Sequence, residues 1–346
     1  MLQYLIILLG QNATSFCHYQ IEKDKKELIS LENLRAGILF AMKHNLAVQF
    51  VYPPFELPEA YKSHIQSIEH TNIMPAECYN EEADIIVYDD IKSLSPEKEK
   101  IIVARTSKSD LFKSGNIITE ILPEINRLNL IITDIEHFTP ADSKQYQTLL
   151  DTWSIILKTQ WQNNNLIQFN LITDRMLLNQ MNNCNAGIDN ITLAPDGKFY
   201  TCPAFYHNQS ASIGTPEEGI EIKNKQLYKL AYAPICENCD AYQCKRCIWL
   251  NQKITLEVNT PSHEQCVVAH SERNAARNLS IKLQKTKLPI TLENIPEINY
   301  SDPYEYSYYK QEIACQKNSF GIFLLFFIQC RTYKSKSFEQ YVGRCC

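Results

Sequence analysis

Seven of the thirteen cysteines lie within 83 residues, and their spacing indicates a metal site. Cys184 is separated by twelve residues from Gly197, which is separated by four residues from Cys202. Two Cys-x-x-Cys pairs, four residues apart, and one further cysteine follow: Cys236, Cys239, Cys244, Cys247 and Cys266. Thiolates bind zinc ions and iron-sulfur clusters, so both kinds of site agree with these residue types.

The compartment decides whether such cysteines pair with one another or bind metal. Disulfides form in oxidising compartments, whereas cysteines of cytoplasmic proteins more often bind metal or act in catalysis. The apolar run from Met1 to Gly10 has no Lys or Arg before it and is shorter than a membrane span. We therefore interpret this run as a buried first strand, with a secretory signal as the alternative, and expect a cytoplasmic protein in which the cysteines bind metal.

Composition excludes some other classes of protein. The chain has 346 residues, of which 45% are hydrophobic, enough for one large domain and a smaller one. Its formal net charge is -5 and it has no long run of Lys or Arg, so we expect no nucleic-acid partner. No stretch of eighteen apolar residues occurs, so we expect no transmembrane helix.

The tight spacing of the middle cysteines favours a cluster over a single zinc ion. Two Cys-x-x-Cys loops that share one zinc must face each other across the ion, and their connection is normally longer than four residues. Neighbouring cysteines of ferredoxin-type runs serve different clusters. A zinc-ribbon binding module remains an alternative, and metal content would distinguish the two.

Up to about residue 178, short apolar runs alternate with amphipathic stretches, as in βα units around a parallel sheet. The alternation predicts an α/β fold with six units, either an incomplete TIM-barrel-like (βα)6 domain or an open doubly wound sheet. The predicted strands are Tyr4 to Leu9, Ala47 to Tyr52, Ile85 to Tyr88, Ile101 to Ala104, Asn129 to Thr133 and Ile167 to Leu171.

Apolar periodicity predicts helices between these strands. The face of the first comprises Leu31, Leu34, Ile38, Leu39 and Met42, and that of the second Leu57, Tyr61, Ile65 and Ile68. A third helix begins after Thr139, with Pro140 in its first turn, and Asp142 suits the positive helix end. Its apolar face comprises Tyr146, Leu149, Leu150, Trp153, Ile156 and Leu157.

Polar residues that follow the predicted strands would share one edge of the sheet, where α/β folds bind ligands. They are Asp89, Asp90, Arg105, Asp134, Glu136, His137, Asp174 and Arg175. Asp134, Glu136 and His137 form the best group, although each residue also fits an ordinary solvated loop.

A hairpin positions the second cysteine. The turn sequence Pro195, Asp196, Gly197 lies between two strand-like stretches, 191–193 and 198–200. Glycine can adopt the positive φ that such a turn needs. We expect this hairpin to bring Cys202 next to Cys184.

The order of the seven cysteines around Gly197 resembles the SPASM domain, the auxiliary-cluster domain of many radical S-adenosylmethionine enzymes that modify peptides. The chain also resembles the CXXX repeat peptide maturase family. The resemblance lies in the amino-acid sequence of residues 185–197 and of the stretch Cys202 to Tyr206, which follow an α/β region. This resemblance covers roughly residues 1–300. It implies a radical-SAM-like barrel over residues 1–178, a SPASM-type domain over 179–290 and an atypical tail over 291–346.

The resemblance implies two 4Fe-4S clusters as cofactors. Cys184, Cys202 and Cys247 would bind the first, and Cys236, Cys239, Cys244 and Cys266 the second. The middle spacings are each one residue shorter than in the usual SPASM pattern, which leaves the assignment of Cys244 and Cys247 open. The first cluster then has only three thiolates, so its fourth iron is either open to a peptide cysteine or closed by Cys17, Cys78 or another group.

Two motifs of the radical enzymes are missing. After the first strand those enzymes carry Cys-x-x-x-Cys-x-x-Cys, whereas this chain has only Cys17 there. The Gly-Gly-Glu type sequence expected after the second strand is replaced by the stretch Val51 to Glu56. The resemblance therefore implies a barrel relative that does not cleave S-adenosylmethionine by itself.

Two functions agree with these observations. The first is maturation of a ribosomally synthesised, Cys-rich CXXX peptide, with the precursor peptide as partner. The alternative is a non-catalytic iron-sulfur or zinc scaffold that docks the peptide or a partner radical enzyme. No nucleophile and base pair is evident at sequence spacing, so no catalytic residue is predicted.

The remaining signals concern the C-terminal part of the chain. The stretch after Cys266 predicts a packing helix that ends near Leu283, with His270 and Arg273 on the surface and His263 as a further candidate ligand. The run 320–328 is apolar but too short to cross a bilayer. Cys315, Cys330, Cys345 and Cys346 are not assigned to a site.

Overall fold

The computed structural model describes residues 2–284, 286–298 and 302–304. The chain divides into two units, Met1–Glu297 and Ile298–Cys346. The apolar run 320–328 and the last four cysteines lie outside the described residues. The division at residue 178 stays a prediction.

In the described part of the chain, eleven strands form one sheet. They are Tyr4–Leu8 (β1), Ala47–Val51 (β2), His70–Pro75 (β3), Ile85–Tyr88 (β4), Ile101–Thr106 (β5), Arg127–Ile132 (β6), Gln168–Phe169 (β7), Asn190–Leu193 (β8), Phe199–Tyr200 (β9), Gly214–Thr215 (β10) and Gly219–Ile220 (β11).

The strand order is β11-β10-β9-β8-β1-β2-β3-β4-β5-β6-β7. Strands β1 to β7 pair in parallel along this order, and β8 pairs in parallel with the other side of β1. Strands β8 to β11 then continue as an antiparallel meander. Because the eight central strands are parallel, the loops that follow them all emerge at one edge, which we call the carboxyl edge.

The helices largely separate consecutive strands. They are Leu31–His44 (α1), Glu59–Ile65 (α2), Lys108–Ser114 (α3), Asn116–Ile121 (α4), Pro140–Gln162 (α5), Thr173–Leu177 (α6), Pro203–His207 (α7), Ile248–Thr255 (α8) and His263–Leu283 (α9). Short 3-10 turns occupy Ile91–Ser93, Leu122–Glu124, Ile135–His137, Lys225–Tyr228 and Leu230–Tyr232.

All six predicted strands are present, but β3 was missed. Its sequence, His-Thr-Asn-Ile-Met-Pro, lacks a continuous apolar run, and Pro75 argues against a central strand. Neighbouring strands nevertheless pair with it on both sides. Asn72 donates from its backbone N–H to Asp84 Oδ2 at 2.8 Å. The region up to residue 178 thus has seven strands, one more than the six that were predicted.

The helix predictions are confirmed at α5 and only in part at α1. Thr139 and Asp142 form a capping box at the start of α5. In α1 the predicted face is displaced, because Leu39 and Met42 are exposed by 55% and 58%. Phe40 and Ala41 are buried in their place. Two apolar faces compete in this sequence, and the packing against the sheet selects one.

The core forms where the helices cover the sheet. Trp153 and Trp161 of α5 are fully buried, in one cluster with strands β4 to β6 and with α9 residues such as Ala276. A second cluster joins α1 to β1, β2 and β8. No helix in the described ranges is both long and apolar enough to span a bilayer.

The predicted hairpin is confirmed. Thr192 pairs with Tyr200 and Leu193 with Phe199. Gly197 has a φ of +79°, the left-handed region that glycine adopts readily. A Cβ atom at this position would lie 2.7 Å from Asn33 Nδ2. The turn therefore needs glycine for its conformation and for its approach to α1.

We expect Gly197→Ala to destabilise the hairpin. The left-handed backbone costs a residue with a Cβ about 1–2 kcal/mol, and the methyl group would also displace the Asn33 side chain from its hydrogen bond to Pro195 O. Gly219→Ala is the matched control, because Gly219 has a φ of +86° with no atom within 4 Å of the added Cβ. Urea unfolding should show a larger loss for Gly197→Ala. Equal losses would contradict the contact with Asn33.

Candidate iron-sulfur site

Four thiols converge on one cavity beside β1. Cys17, Cys184, Cys202 and Cys247 line a cavity of about 240 Å³, together with apolar residues such as Phe16 and Trp249. Three of these cysteines are the predicted ligands of the first cluster, and Cys17 was considered only as an alternative. None of the nine cysteines in the described ranges is in a disulfide.

Burial and mutual repulsion hold these thiols in the neutral form. The pKa of Cys202 is raised well above its usual value, first by burial and then by the thiols of Cys247, Cys184 and Cys17. Burial also raises the pKa of Cys247 to about 12, with Cys184 adding to the effect. Since bound iron stabilises the thiolate form, such a site would release protons when it binds metal.

The secondary structure around two of these cysteines favours thiolates. Cys202 directly precedes α7, and Cys247 directly precedes α8. A hydrogen bond from the backbone N–H of Phe205 lowers the pKa of Cys202, against the larger effect of burial. Hydrogen bonds from the backbone N–H groups of Trp249 and Leu250 do the same for Cys247. Backbone N–H groups at helix starts favour negative charge.

Cys236, Cys239 and Cys244 form a second group of thiols. Tight turns bring the cysteines together, with Cys239 N donating to Cys236 O at 3.1 Å and Cys244 N to Ala241 O at 2.9 Å. The pKa of Cys236 is raised to about 12 by burial, and then by Cys244 and Cys239.

Helix α9 contacts this second group and also carries Cys266. Cys266 is buried one helical turn before His270, so both side chains share a face of α9. His270 Nε2 lies 3.4 Å from Cys239 Sγ. His263 is exposed at the start of the same helix.

The prediction that His270 and Arg273 lie on the surface is wrong, since their exposed fractions are 1% and 0%. Arg273 donates from Nε and Nη2 to the two carboxylate oxygens of Asp240, at 2.9 and 2.6 Å. Arg175 donates from Nε to Asp240 O at 2.5 Å. Asp240 directly follows Cys239, so the two arginines fix the loop between Cys239 and Cys244. Sequence spacing carries no sign of this long-range pairing.

The polar residues predicted at the carboxyl edge separate into pairs. Arg105 pairs with Asp89, and Asp174 accepts two hydrogen bonds from Arg127 at 2.6 and 2.8 Å. Asp90 caps a 3-10 turn. These side chains make structural contacts, and the Arg127–Asp174 pair joins the start of β6 to α6.

Asp134 and His137 both accept hydrogen bonds from Lys108, whereas Glu136 pairs with a different lysine. Asp134 accepts from the backbone N–H of Lys108 at the start of α3, at 2.6 Å. Glu136 pairs with Lys253 of α8 at 2.7 Å. The His137 backbone carbonyl accepts from Lys108 Nζ. Strand order alone did not reveal these partners.

A four-iron cluster accepts thiols that lie farther apart than the ligands of a single zinc ion. In the described ranges, no three His, Cys or carboxylate side chains are grouped so that they could hold one metal ion. Thiolates around one zinc lie about 3.8 Å apart, from a Zn–S distance of ~2.3 Å in a tetrahedron. A four-iron cluster places each thiolate on a different iron atom, so its ligands need not lie so close.

The side chain of Arg246 is suited to a negatively charged cluster. This side chain is 3% exposed, and its Nε and Nη1 have no hydrogen-bond partner among the described residues. Its charge lowers the pKa of Cys184, Cys236 and Cys244 against the larger effect of burial. Buried guanidinium donors need acceptors, and the sulfur atoms of a negatively charged cluster would supply them.

Solved structures share this fold. A histidine-tagged form of anSMEcpe with bound AdoMet aligns with a TM-score of 0.58 and 12% identity, over 83% of this chain and 96% of that chain. Native anSMEcpe with bound AdoMet and the Cp18Cys peptide aligns with a TM-score of 0.57 and 13% identity, over 82% of this chain and 99% of that chain. No protein-family model and no curated protein matches the sequence. At this identity the similarity establishes the shared mixed α/β fold.

We expect Arg105→Gln to loosen the loop after β1. Arg105 is buried, donates to the carbonyls of Cys17 and Tyr19 at 2.9 and 2.6 Å, and pairs with Asp89. Breaking such a pair should cost about 3 kcal/mol of unfolding free energy. Lys92→Gln is the control, because the exposed Lys92–Asp110 pair contributes little. A loss no larger than that of the control would refute the anchoring role.

Glu272 should make stability depend on pH. Burial raises its pKa to about 7, against the opposing effects of hydrogen bonds from Tyr146 and Gln243. The folded state therefore keeps a proton that the unfolded state loses near pH 4.5, so stability falls as pH rises from 4.5 to 7.

The expected loss over this interval is about 3 kcal/mol. Urea unfolding at pH 5 and pH 8 should show it in the wild-type protein and not in Glu272→Gln. Glu99→Gln, at an exposed position, should behave like wild type. The same pH dependence in Glu272→Gln would assign the effect to another group.

Proposed function

We propose that this chain is an iron-sulfur protein that takes part in the modification of a ribosomally made peptide. The observation that carries the proposal is the arrangement of two groups of buried thiols, one of them in a cavity against β1, β2 and β8 of a sheet with this fold. The anSMEcpe structures with the same fold hold AdoMet and, in one case, the Cp18Cys peptide. This likeness supports the radical S-adenosylmethionine superfamily as the setting.

The substrate that we propose is a CXXX repeat peptide, which is Cys-rich. The support comes from the sequence, where residues 185–197 and the stretch Cys202 to Tyr206 resemble the CXXX repeat peptide maturases. The cavity between the thiols and the apolar side chains is the part of the molecule where a peptide cysteine would meet the site. We also infer a cytoplasmic location.

The proposed cofactors are two 4Fe-4S clusters. Cys184, Cys202 and Cys247 would hold the first, and Cys236, Cys239, Cys244 and Cys266 the second. A bound cluster supplies one-electron chemistry and sites for thiolates. The chain itself supplies cationic groups: Arg246 beside both thiol groups, and Lys245, whose charge acts on Cys184 and Cys244. Apolar Phe16 and Trp249 line the first site and limit water there.

A second candidate function is a scaffold that docks the peptide or a partner radical enzyme. The loop after β1 carries Cys17 alone, and this thiol lies with Cys184, Cys202 and Cys247. The loop after β2 begins Tyr52-Pro53-Pro54 where a Gly-Gly-Glu type sequence would be expected. Both features favour a protein that does not cleave AdoMet by itself.

Metal content tests the proposal. We expect anaerobically purified or reconstituted protein to contain about eight iron and eight sulfide per chain, the load of two four-iron clusters. Reduction should give a low-temperature paramagnetic resonance spectrum of two centres. Stoichiometric zinc without sulfide would overturn the iron-sulfur proposal and leave a zinc-binding module.

Two further measurements separate maturase from scaffold. The loaded protein should bind a Cys-repeat peptide by calorimetry, and more weakly a peptide of the same composition in scrambled order. AdoMet cleavage is then measured with reductant present. Cleavage by the chain alone would favour the maturase, and peptide binding without cleavage would favour the scaffold. Failure to bind either peptide would overturn the peptide function.

A further inference from the structure

Cys17 lies where a fourth ligand of the first cluster would be needed. It lies in the loop after β1, and it lines the 240 Å³ cavity with Cys184, Cys202 and Cys247. Of the nine described cysteines, these four line that cavity, whereas Cys78 is exposed elsewhere and its thiol contacts Pro53 O at 3.6 Å.

Buried polar contacts fix the loop that carries Cys17. Arg105 donates from Nε to Cys17 O at 2.9 Å and from Nη2 to Tyr19 O at 2.6 Å, while Asp89 holds the guanidinium. Ser15 Oγ also donates to Tyr19 O at 2.7 Å. The position of Cys17 is therefore determined by the framework of the sheet.

The same loop packs on the helix that follows Cys202. The ring of Tyr19 stacks on His207 of α7, with ring centroids 5.2 Å apart and an angle of 13° between the planes. Cys17, Cys202 and Cys247 pack against one apolar cluster that contains Tyr19, Phe205 and Trp249. The loop after β1 and the Cys-rich segment thus form a single packed unit around the four thiols.

We propose that Cys17 is the fourth thiolate ligand of the first cluster, joining Cys184, Cys202 and Cys247. The inference rests on the proposed iron-sulfur function. Four thiolates are the usual ligand set of a four-iron cluster. Each thiol gives up its proton as its sulfur binds iron.

This ligand changes what the site can do. With four protein thiolates, no iron of the first cluster is left for a peptide cysteine, so the peptide meets a closed cluster. The loop after the first strand has one cysteine where the radical enzymes have three. This loop would then supply a ligand to the cluster that the Cys-rich segment holds.

Removal of the Cys17 thiol tests the proposal on the full chain, reconstituted without oxygen. We expect Cys17→Ala and Cys17→Ser to lose one iron or the whole first cluster, so that iron falls from about eight to between about four and seven per chain. The resonance spectrum of the first centre should change and that of the second persist. Cys78→Ser should match wild type in both readouts. Iron content and spectra of Cys17→Ser equal to wild type would overturn the proposal.

A second experiment adds a small ligand to the wild-type protein, so it does not depend on whether a variant folds. Added imidazole or a small thiol binds an open iron and shifts the spectrum, so it should leave the wild-type clusters unchanged and shift those of Cys17→Ser. A shift in the wild-type spectrum would show an open iron and refute the assignment. Wild-type protein without iron and sulfide would instead overturn the proposed function itself, so the two failures are distinguishable.

Discussion

The site depends on the parallel pairing of β8 with β1. Tyr4 to Ile7 pair with Asn190 to Leu193, strands more than 180 residues apart in the chain. This register attaches the Cys-rich segment to the first strand of the sheet, beside the loop that carries Cys17. Without the pairing, Cys184 and Cys202 would have no fixed relation to Cys17, because closing so long a connection is entropically unfavourable unless buried contacts hold the ends. The apolar faces of β1 and β8 supply those contacts.

Buried ion pairs then fix the loops that carry the cysteines. Arg105 holds the carbonyls of the loop after β1, and Arg175 and Arg273 hold Asp240 between two cysteines of the second group. A guanidinium has several donors in a fixed plane, so one side chain can hold two backbone positions at once. Such rigid placement would favour cluster binding, because ligands from distant segments would have to meet within bonding distance of one cluster.

The site combines buried thiols with a buried cation. The thiols repel one another as thiolates, and burial keeps them protonated. Arg246 is a buried cation with unpaired donors beside both thiol groups. Iron would stabilise the thiolates, and the negatively charged cluster would accept hydrogen bonds from Arg246. A bound cluster would therefore satisfy both the thiols and the Arg246 guanidinium.

The sequence by itself determined the cysteine ligand candidates, the hairpin at Gly197 and six of the strands, because spacing, turn residues and apolar periodicity are local signals. It missed β3, whose pairing on both sides outweighs a weak local pattern, and it assigned His270 and Arg273 to the surface. Only the tertiary structure brought Cys17 beside Cys184, Cys202 and Cys247, and Asp240 beside two arginines. Such contacts arise from strand order and long-range packing, for which a single sequence has no fixed spacing.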